Sequence, residues 1–149
     1  MRAVLTRVKH ASVTIDGEVH GQIGEGFLIL LGVTHEDTEA QAVKLADKLT
    51  GLRIFEDENG KMNLALDDVG GKVIVVSNFT LCADCGHGKR PSFINAQRPI
   101  QANELYEYII DACKKEVPVV KTGVFGAEME VALINDGPFT IILDSKDLA

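Results

Sequence analysis

The sequence has few residues of the kinds that mark a linker, a disulfide framework or a membrane anchor. It contains four prolines in 149 residues, with no Pro- or Ser-rich tract and no repeat, so we expect one domain over residues 1–149. The three cysteines are an odd number and no secretion signal precedes them, which favours free thiols in a reducing cytoplasm. The longest apolar run, residues 27–33, is far shorter than the roughly 20 residues that cross a bilayer. We therefore expect a cytoplasmic protein without membrane contact.

Patterns typical of the common enzyme classes are also missing. The chain has no Gly-x-Ser-x-Gly elbow, and Gly21, Gly24 and Gly26 do not match the Gly-x-Gly-x-x-Gly nucleotide fingerprint. Its four histidines lie in predicted strand ends or loops, without a spacing that indicates a catalytic triad. Cys82 and Cys85 have CxxC spacing, which leaves a thiol or zinc enzyme centred on them as an alternative. Structural zinc needs four ligands and no evident set is present, so we expect neither metal nor cofactor.

The net charge of −7 argues against a protein that coats nucleic acid, because phosphate binding depends on Lys and Arg. The charges are distributed unevenly, however. Residues 1–15 contain three basic residues and no acid, and residues 89–121 contain six basic residues against four acids. If these segments share a face, they favour contact with an RNA end over contact with a long duplex.

Hydrophobic periodicity indicates a mostly β protein with two helices. Residues 11–23 read as a hairpin around an Asp-Gly turn, and the continuous apolar run 27–33 predicts a strand buried on both faces. A capping box and an apolar stripe predict one helix over residues 38–50, and a second stripe predicts another over residues 103–116. We count about eight strands and see no βαβ series. The expected fold class is α+β, with a curved or barrel-like antiparallel sheet in a single domain.

The last quarter of the chain combines a strand pattern with a cluster of turn residues. Met129, Val131 and Leu133 alternate with more polar residues, as in a strand with one buried face. Residues 135–138, Asn-Asp-Gly-Pro, each favour turns, and an apolar strand resumes at residues 139–143. The pattern predicts two strands joined by a tight, stiff turn. The ordinary interpretation is a surface hairpin.

A polar segment follows the predicted buried strand at residues 73–76. Ser77, Asn78, Phe79 and Thr80 carry two hydroxyls, an amide and an aromatic ring at the point where the chain leaves the core. Backbone N–H groups there are free to donate to a ligand oxygen, and either hydroxyl can add a hydrogen bond. The alternative is a plain strand end in which Phe79 plugs the core.

A flexible basic loop lies further along, over residues 86–93. Lys89 and Arg90 suit phosphate contact, and Phe93 suits the stacking of a base. An ordinary solvated loop has the same composition, so the residue types alone do not separate the two.

Four segments in this order resemble the D-aminoacyl-tRNA deacylases, homodimeric enzymes that cleave the ester between a D-amino acid and tRNA. The resemblance covers nearly the whole chain. The Ser-x-Phe-Thr-Leu motif carries Asn78 where the family usually has Gln, one methylene longer, so a contact by that side chain does not transfer. The similar segments are residues 1–14, 77–81, 90–93 and 123–140.

The resemblance implies a homodimer in which a cis Gly137–Pro138 peptide enters the partner's pocket beside residues 77–81. It implies that L-amino acids are excluded by the carbonyls of this motif, while glycine, which has no side chain, is admitted, so that glycyl-tRNA is a second substrate. It also implies that Arg7 braces the motif. The catalytic assignment is to Ser77, Asn78, Phe79 and Thr80, mainly through backbone groups.

The mechanism that suits this sequence relies on the RNA itself. N–H groups around Phe79 and Thr80 would stabilise the developing oxyanion, and the ribose 2′-OH would orient or activate the attacking water. Two alternatives remain open: a module that binds RNA ends without turnover, and the thiol or zinc enzyme centred on Cys82 and Cys85.

Overall fold

The computed structural model describes residues 1–149 and contains eight strands and two α-helices. The strands are β1 (Arg2–Ile15), β2 (Glu18–Ile23), β3 (Gly26–Gly32), β4 (Phe55–Glu56), β5 (Met62–Leu64), β6 (Lys72–Ser77), β7 (Val120–Thr122) and β8 (Glu130–Asp144). The helices are α1 (Glu39–Gly51) and α2 (Pro99–Glu116), and short 3-10 helices occupy Asp67–Val69, Phe79–Cys82 and Ser145–Asp147. The predicted mostly β domain with two helices is confirmed. Neither helix combines the length and the apolar character needed to span a membrane.

Six strands form one strongly curved sheet. Its order is β2-β1-β3-β6-β7, and β8 pairs with β1 beside this path. A Cβ atom at Gly21 of β2 would lie 3.4 Å from the Thr122 carbonyl oxygen of β7 and 3.6 Å from the Lys121 Cβ. The two ends of the sheet therefore approach each other, and the sheet is close to a closed barrel, as the sequence predicts.

The sheet is mixed, whereas the sequence predicts an antiparallel one. β1 runs antiparallel to β2, β3 and β8, but β3–β6 and β6–β7 are parallel pairs. Parallel neighbours need a long crossover, and α1 and α2 lie within the two crossovers. Long segments separate strand from helix in these crossovers, namely residues 52–71, which contain β4 and β5, and residues 78–98, which contain the 3-10 helix Phe79–Cys82. They hide the βαβ pattern from periodicity.

The middle of the curved sheet, formed by β1, β3 and β6, is buried on both faces. The larger apolar cluster lies between the sheet and the helices and includes Leu5, Phe27 and Val75 with Leu45 and Ile109. A smaller cluster fills the inside of the curve, with Val8, Val13, Leu28, Ile74 and Val76. Because β3 contributes to both clusters, its apolar run has no alternation, as predicted.

The predicted hairpin in the last quarter is wrong. β8 is one strand, and both of its halves pair antiparallel with β1: Leu133 lies opposite Ala11, and Ile141 lies opposite Leu5. The register breaks between these halves, so residues 136–139 form a bulge opposite Arg7. The turn residues make the chain bulge out of the ladder without reversing its direction.

The predictions of the two helices and of the first hairpin are confirmed. α1 begins after Thr38, whose capping box with Gln41 is present. β1 and β2 join through Asp16 and Gly17, both with positive φ, which the Asp-Gly pair predicts. α2 begins at Pro99, four residues before the predicted start, because proline suits the first helical turn.

Candidate active site

A single large cavity opens where β6 ends. Its volume is about 910 Å³, and 14 of its 20 lining residues are hydrophobic. Ser77, Asn78 and Phe79 line it, together with side chains from β3, β8 and the start of α2. The structure thus places the polar segment predicted from sequence in the wall of a mainly apolar cavity, which is the common form of a small-molecule site.

Close packing against β3 positions the 3-10 helix Phe79–Cys82. The Asn78 N–H donates to the Leu31 carbonyl at 2.8 Å, and the Leu81 N–H donates to the Asn78 carbonyl at 3.3 Å. Gly32 lies directly beneath: a Cβ there would be 3.0 Å from the Leu81 Cβ and 3.2 Å from the Asn78 carbonyl oxygen. The absence of a side chain at Gly32 therefore permits this approach.

β6 is also anchored from the helix side, two residues before Ser77. The Tyr106 hydroxyl of α2 donates to the Val75 carbonyl at 2.8 Å, and burial raises the pKa of this phenol to about 12. The hydroxyl consequently stays protonated and keeps donating at neutral pH. The backbone around Ser77 is thus fixed before it by the Tyr106–Val75 hydrogen bond and after it by the Asn78–Leu31 hydrogen bond.

The backbone donors of the segment are not equally available. Asn78 Oδ1 accepts hydrogen bonds from both the Thr80 N–H, at 3.3 Å, and the Thr80 hydroxyl. Phe79 is the first residue of the 3-10 helix, so its N–H has no acceptor within that helix, and it makes none of the hydrogen bonds of the surrounding turns, loops and side chains. Of the two N–H groups singled out in the sequence, therefore, only that of Phe79 is unoccupied.

Phe79 is not a core plug, because its side chain is 57% exposed. It packs edge to face against Phe93, with ring centroids 5.1 Å apart, and both residues line the cavity. The loop that carries Phe93 is closed by paired backbone hydrogen bonds between Asp84 and Ser92, at 2.8 and 2.9 Å. These contacts bring two segments distant in sequence together as an aromatic pair at the cavity.

The basic residues differ in their position relative to the cavity. Lys89 and Arg90 are exposed and do not line the cavity. Arg98, which the sequence offers only as one of several basic residues, does line it. The one available signal was its position immediately before Pro99, at the start of α2.

Arg7 contacts the β8 bulge on the helix side of the sheet. Its Nε donates to the Asp136 carbonyl at 3.0 Å, and its Nη1 donates to the Ile54 carbonyl at 2.6 Å. The guanidinium also lies over the Phe139 ring, 4.8 Å from the centroid. Buried to 8% exposure, Arg7 ties both ends of the bulge to the sheet.

Gly137 and Pro138, at the tip of the bulge, are exposed and do not line the cavity of their own chain. The peptide bond between them is cis. A Cβ at Gly137 would lie 2.7 Å from the Phe139 nitrogen, and its φ is 147°, so this position requires glycine.

Cys82, the first cysteine of the CxxC pair, does not have the surroundings of a reactive thiol. Cys82 is buried and donates to the Val33 carbonyl at 3.4 Å, and burial raises the pKa of its thiol. Reactive thiols need the opposite shift, which disfavours the thiol alternative. No group of three or more His, Cys, Asp or Glu side chains is arranged to hold a metal ion.

Comparison with known proteins agrees with this geometry. The family model described as D-Tyr-tRNA(Tyr) deacylase matches residues 4–144. A D-aminoacyl-tRNA deacylase of Bacillus cytotoxicus is 53% identical over 146 residues, which are 98% of this chain and 100% of that protein. One from Thermus aquaticus is 55% identical over 147 residues, or 99% of this chain and 97% of that protein. The solved structure of a c-Myc DNA Unwinding Element Binding Protein is 39% identical with a TM-score of 0.92, covering 97% of this chain and 98% of that one.

These relatives and the cavity together define an enzyme of the hydrolase class. The chain belongs to the D-Tyr-tRNA(Tyr) deacylase family, which confirms the resemblance seen in its sequence.

Proposed function

We propose that this protein hydrolyses the ester bond of D-aminoacyl-tRNA, and that glycyl-tRNA is a second substrate. The observation that carries the proposal is the cavity at the end of β6, where an unpartnered Phe79 N–H adjoins an aromatic pair. The relatives' shared name gives the substrate class. The cavity has room for a nucleoside and a small acyl group together.

In the proposed mechanism the protein supplies position and a backbone dipole. The terminal adenosine and its ester occupy the cavity, and the Phe79 N–H donates to the carbonyl oxygen as negative charge develops on it. The lining residues include no His, Asp, Glu, Cys or Lys. With no side chain of ordinary general-base type beside the ester, the substrate's 2′-OH orients or activates the water.

The active unit is proposed to be a homodimer with shared sites. Gly137 and Pro138 lie outside the cavity of their own chain, so they can border a bound ester only in another copy. β8 is an edge strand that pairs with β1 alone, and exposed edges of this kind favour pairing with a second chain. Its exposed apolar side chains add to that tendency; they are Leu133, Ile134 and Ile142.

Selection between D and L substrates is assigned to the backbone of Gly137 and Pro138. In the partner's cavity, their carbonyls would occupy the space that an L side chain needs, whereas a D side chain points away from them. Glycine carries no side chain, so the same carbonyls do not exclude it. Arg7, by holding the bulge, is the supporting residue in this scheme.

Outside the cavity, Lys89 and Arg90 are placed to contact the RNA backbone, and Phe93 to stack with a base. The net charge of −7 is then compatible with an RNA partner, because contact is confined to one end of the molecule. We place the protein in the cytoplasm, where aminoacyl-tRNA is made and used.

The direct test is turnover of matched D- and L-aminoacyl-tRNA by the purified protein. We expect rapid release of the D-amino acid and of glycine, with the L substrate left intact. Equal cleavage of both enantiomers would contradict the proposed exclusion of L substrates by Gly137 and Pro138. Tight binding of tRNA without turnover of any ester would instead support the alternative, a module that binds RNA ends.

The role of the 2′-OH is tested with a D-aminoacyl-tRNA whose terminal adenosine is 2′-deoxy and charged on the 3′ oxygen. A loss of roughly a hundredfold or more in turnover is expected, within the range of acid–base assistance, with binding little changed. Cleavage at the normal rate would show that the group acting on water lies in the protein.

A further inference from the structure

We propose that Arg98 binds the phosphodiester on the 5′ side of the substrate's terminal nucleotide. This inference rests on the proposed function, because it assigns a residue to one part of that substrate. It concerns a residue that lies apart from the motifs by which the chain resembles its family.

Arg98 is the only charged residue among those lining the cavity. Its guanidinium makes no hydrogen bond and no ion pair within the chain. A guanidinium is positively charged at neutral pH, and this one has no counter-charge in the chain. It therefore offers several N–H donors to a ligand that supplies the counter-charge.

The backbone at Arg98 is held in place from both sides. Its N–H donates to Gln97 Oε1 at 2.8 Å, and its carbonyl accepts from the Ala102 N–H at 2.9 Å within α2. The Gln97 N–H in turn donates to the Val33 carbonyl at 2.9 Å, and Pro99 restricts the backbone of Arg98, the residue before it, to an extended conformation. The side chain therefore starts from a fixed point at the cavity, and the residue is exposed to solvent.

The chemistry of the substrate selects the phosphate as its partner. At neutral pH the amino acid of an aminoacyl ester carries a cationic ammonium, and the ester has no carboxylate. The anion nearest to the ester is the phosphodiester that joins the terminal nucleotide to the rest of the RNA. A guanidinium matches phosphate geometry, and the Phe79–Phe93 pair at the same cavity suits stacking of the adjoining base.

The test compares Arg98→Gln and Arg98→Lys with the wild-type protein on two substrates. One is D-aminoacyl-tRNA, and the other is 3′-O-(D-aminoacyl)adenosine, which lacks the phosphate. Lys44→Gln on α1 is the matched control, because it makes the same charge change at an exposed position away from the cavity.

On the tRNA substrate we expect Arg98→Gln to raise KM about tenfold, with kcat within about twofold of wild type. The slope of log(kcat/KM) against log salt concentration should decrease in magnitude by about 1, the change expected from the loss of one phosphate contact. Arg98→Lys should fall between, since it keeps the charge but not the planar donor set. On the adenosine ester, all these proteins should have the same KM.

A KM increase of equal size on both substrates would overturn the assignment, because it would show that Arg98 acts without the phosphate. So would an unchanged KM on the tRNA substrate. If the wild-type protein cleaves neither substrate, the proposed function fails first. Binding then decides on Arg98 alone: the variant must lose affinity for a dinucleotide ending in adenosine, and not for adenosine itself.

Discussion

At the scale of single residues, Asn78 determines which donors the site has available. An asparagine before a short helix is well suited to accept from the N–H two residues ahead, and here its Oδ1 takes both donors of Thr80. The Thr80 hydroxyl is therefore part of a local turn and lies next to no base. The catalytic donor in our scheme is the backbone N–H of Phe79.

We accordingly expect Thr80→Ala to lose less than about tenfold in kcat/KM, because it removes no group that acts on the ester. A covalent threonine nucleophile would lose several orders of magnitude when removed. The measurement is steady-state turnover of D-aminoacyl-tRNA, with Thr80→Ser as the conservative control. Trapping of an acyl-enzyme at Thr80 would contradict the mechanism.

Cys113 provides a prediction about pH. It is fully buried, and burial raises the pKa of its thiol from an ordinary value of about 9 to about 11. The unfolded chain loses this proton first as pH rises, so the contribution to stability is complete below about pH 9 and is lost towards about pH 11. Its size is on the order of 2 kcal/mol in the free energy of unfolding.

Denaturant unfolding at pH 7, 9 and 11 measures this contribution. Cys113→Ala should show a smaller loss of stability between pH 9 and 11 than the wild-type protein, although it starts from a lower value because of the cavity it creates. Cys85→Ala, at an exposed cysteine, should follow the wild-type curve. Parallel curves for all three proteins would rule out titration of Cys113 as a cause.

At the scale of secondary-structure elements, the site depends on how closely the 3-10 helix Phe79–Cys82 approaches β3. The direction of the Phe79 N–H is set by the Asn78 carbonyl of the same peptide group, which accepts from the Leu81 N–H, while the Asn78 N–H donates to Leu31 of β3. The contact between this helix and β3 leaves little room for a larger side chain at Gly32. The atoms nearest to Gly32 are backbone or Cβ atoms and the Cys82 sulfur, which have little freedom to move away.

Gly32→Ala is expected to displace this helix and to destabilise the fold by about 1–3 kcal/mol, as overpacking does. Activity should fall further than stability alone explains, by roughly a hundredfold, because small misplacements of a catalytic donor are costly. Gly51→Ala is the control, since a Cβ there meets nothing within 4 Å. Thermal unfolding measures the loss of stability in the two variants, and turnover measures the loss of activity. If Gly32→Ala and Gly51→Ala behave alike, the contact between the 3-10 helix and β3 is loose.

At the scale of the whole molecule, β8 is the strand that links the cavity to the proposed dimer. It runs the length of β1 as an edge strand, and its bulge presents Gly137 and Pro138 to solvent. A chain with its selecting residues outside its own cavity is incomplete in our scheme. Dimer formation and activity should therefore be lost together.

Ile134→Lys tests this link, because it places a charge on an exposed apolar side chain of the edge strand, 49% exposed in the single chain. We expect a folded monomer with little deacylase activity. Val43→Lys on α1 makes the same change at 50% exposure, away from β8, and should remain dimeric and active. Sedimentation at the assay concentration, combined with turnover, is the measurement; a wild-type protein that is active as a monomer would contradict the shared site.

Much of the local structure could be predicted because its causes are local. The capping box at Thr38, the Asp16-Gly17 turn and the unbroken apolar run of β3 depend on residues a few positions apart. The polar segment at residues 77–80 could be singled out for a similar reason, because it directly follows a buried strand, and Ser77, Asn78 and Phe79 of it line the cavity. The family could also be recognised, since its motifs are short stretches of sequence.

Only the tertiary structure decided which partners those segments meet. Asn135 to Pro138 have the same turn preferences in a hairpin and in a bulge, and pairing with β1 on both sides selects the bulge. Arg98 and Arg90 are alike as sequence, but only Arg98 is carried to the cavity by the start of α2. The sequence also does not show whether the Thr80 N–H is available to a ligand, whereas in the fold it donates to Asn78 Oδ1. Backbone propensity acts over one turn or one strand, whereas strand pairing, burial and hydrogen-bond partners depend on residues that are far apart along the chain.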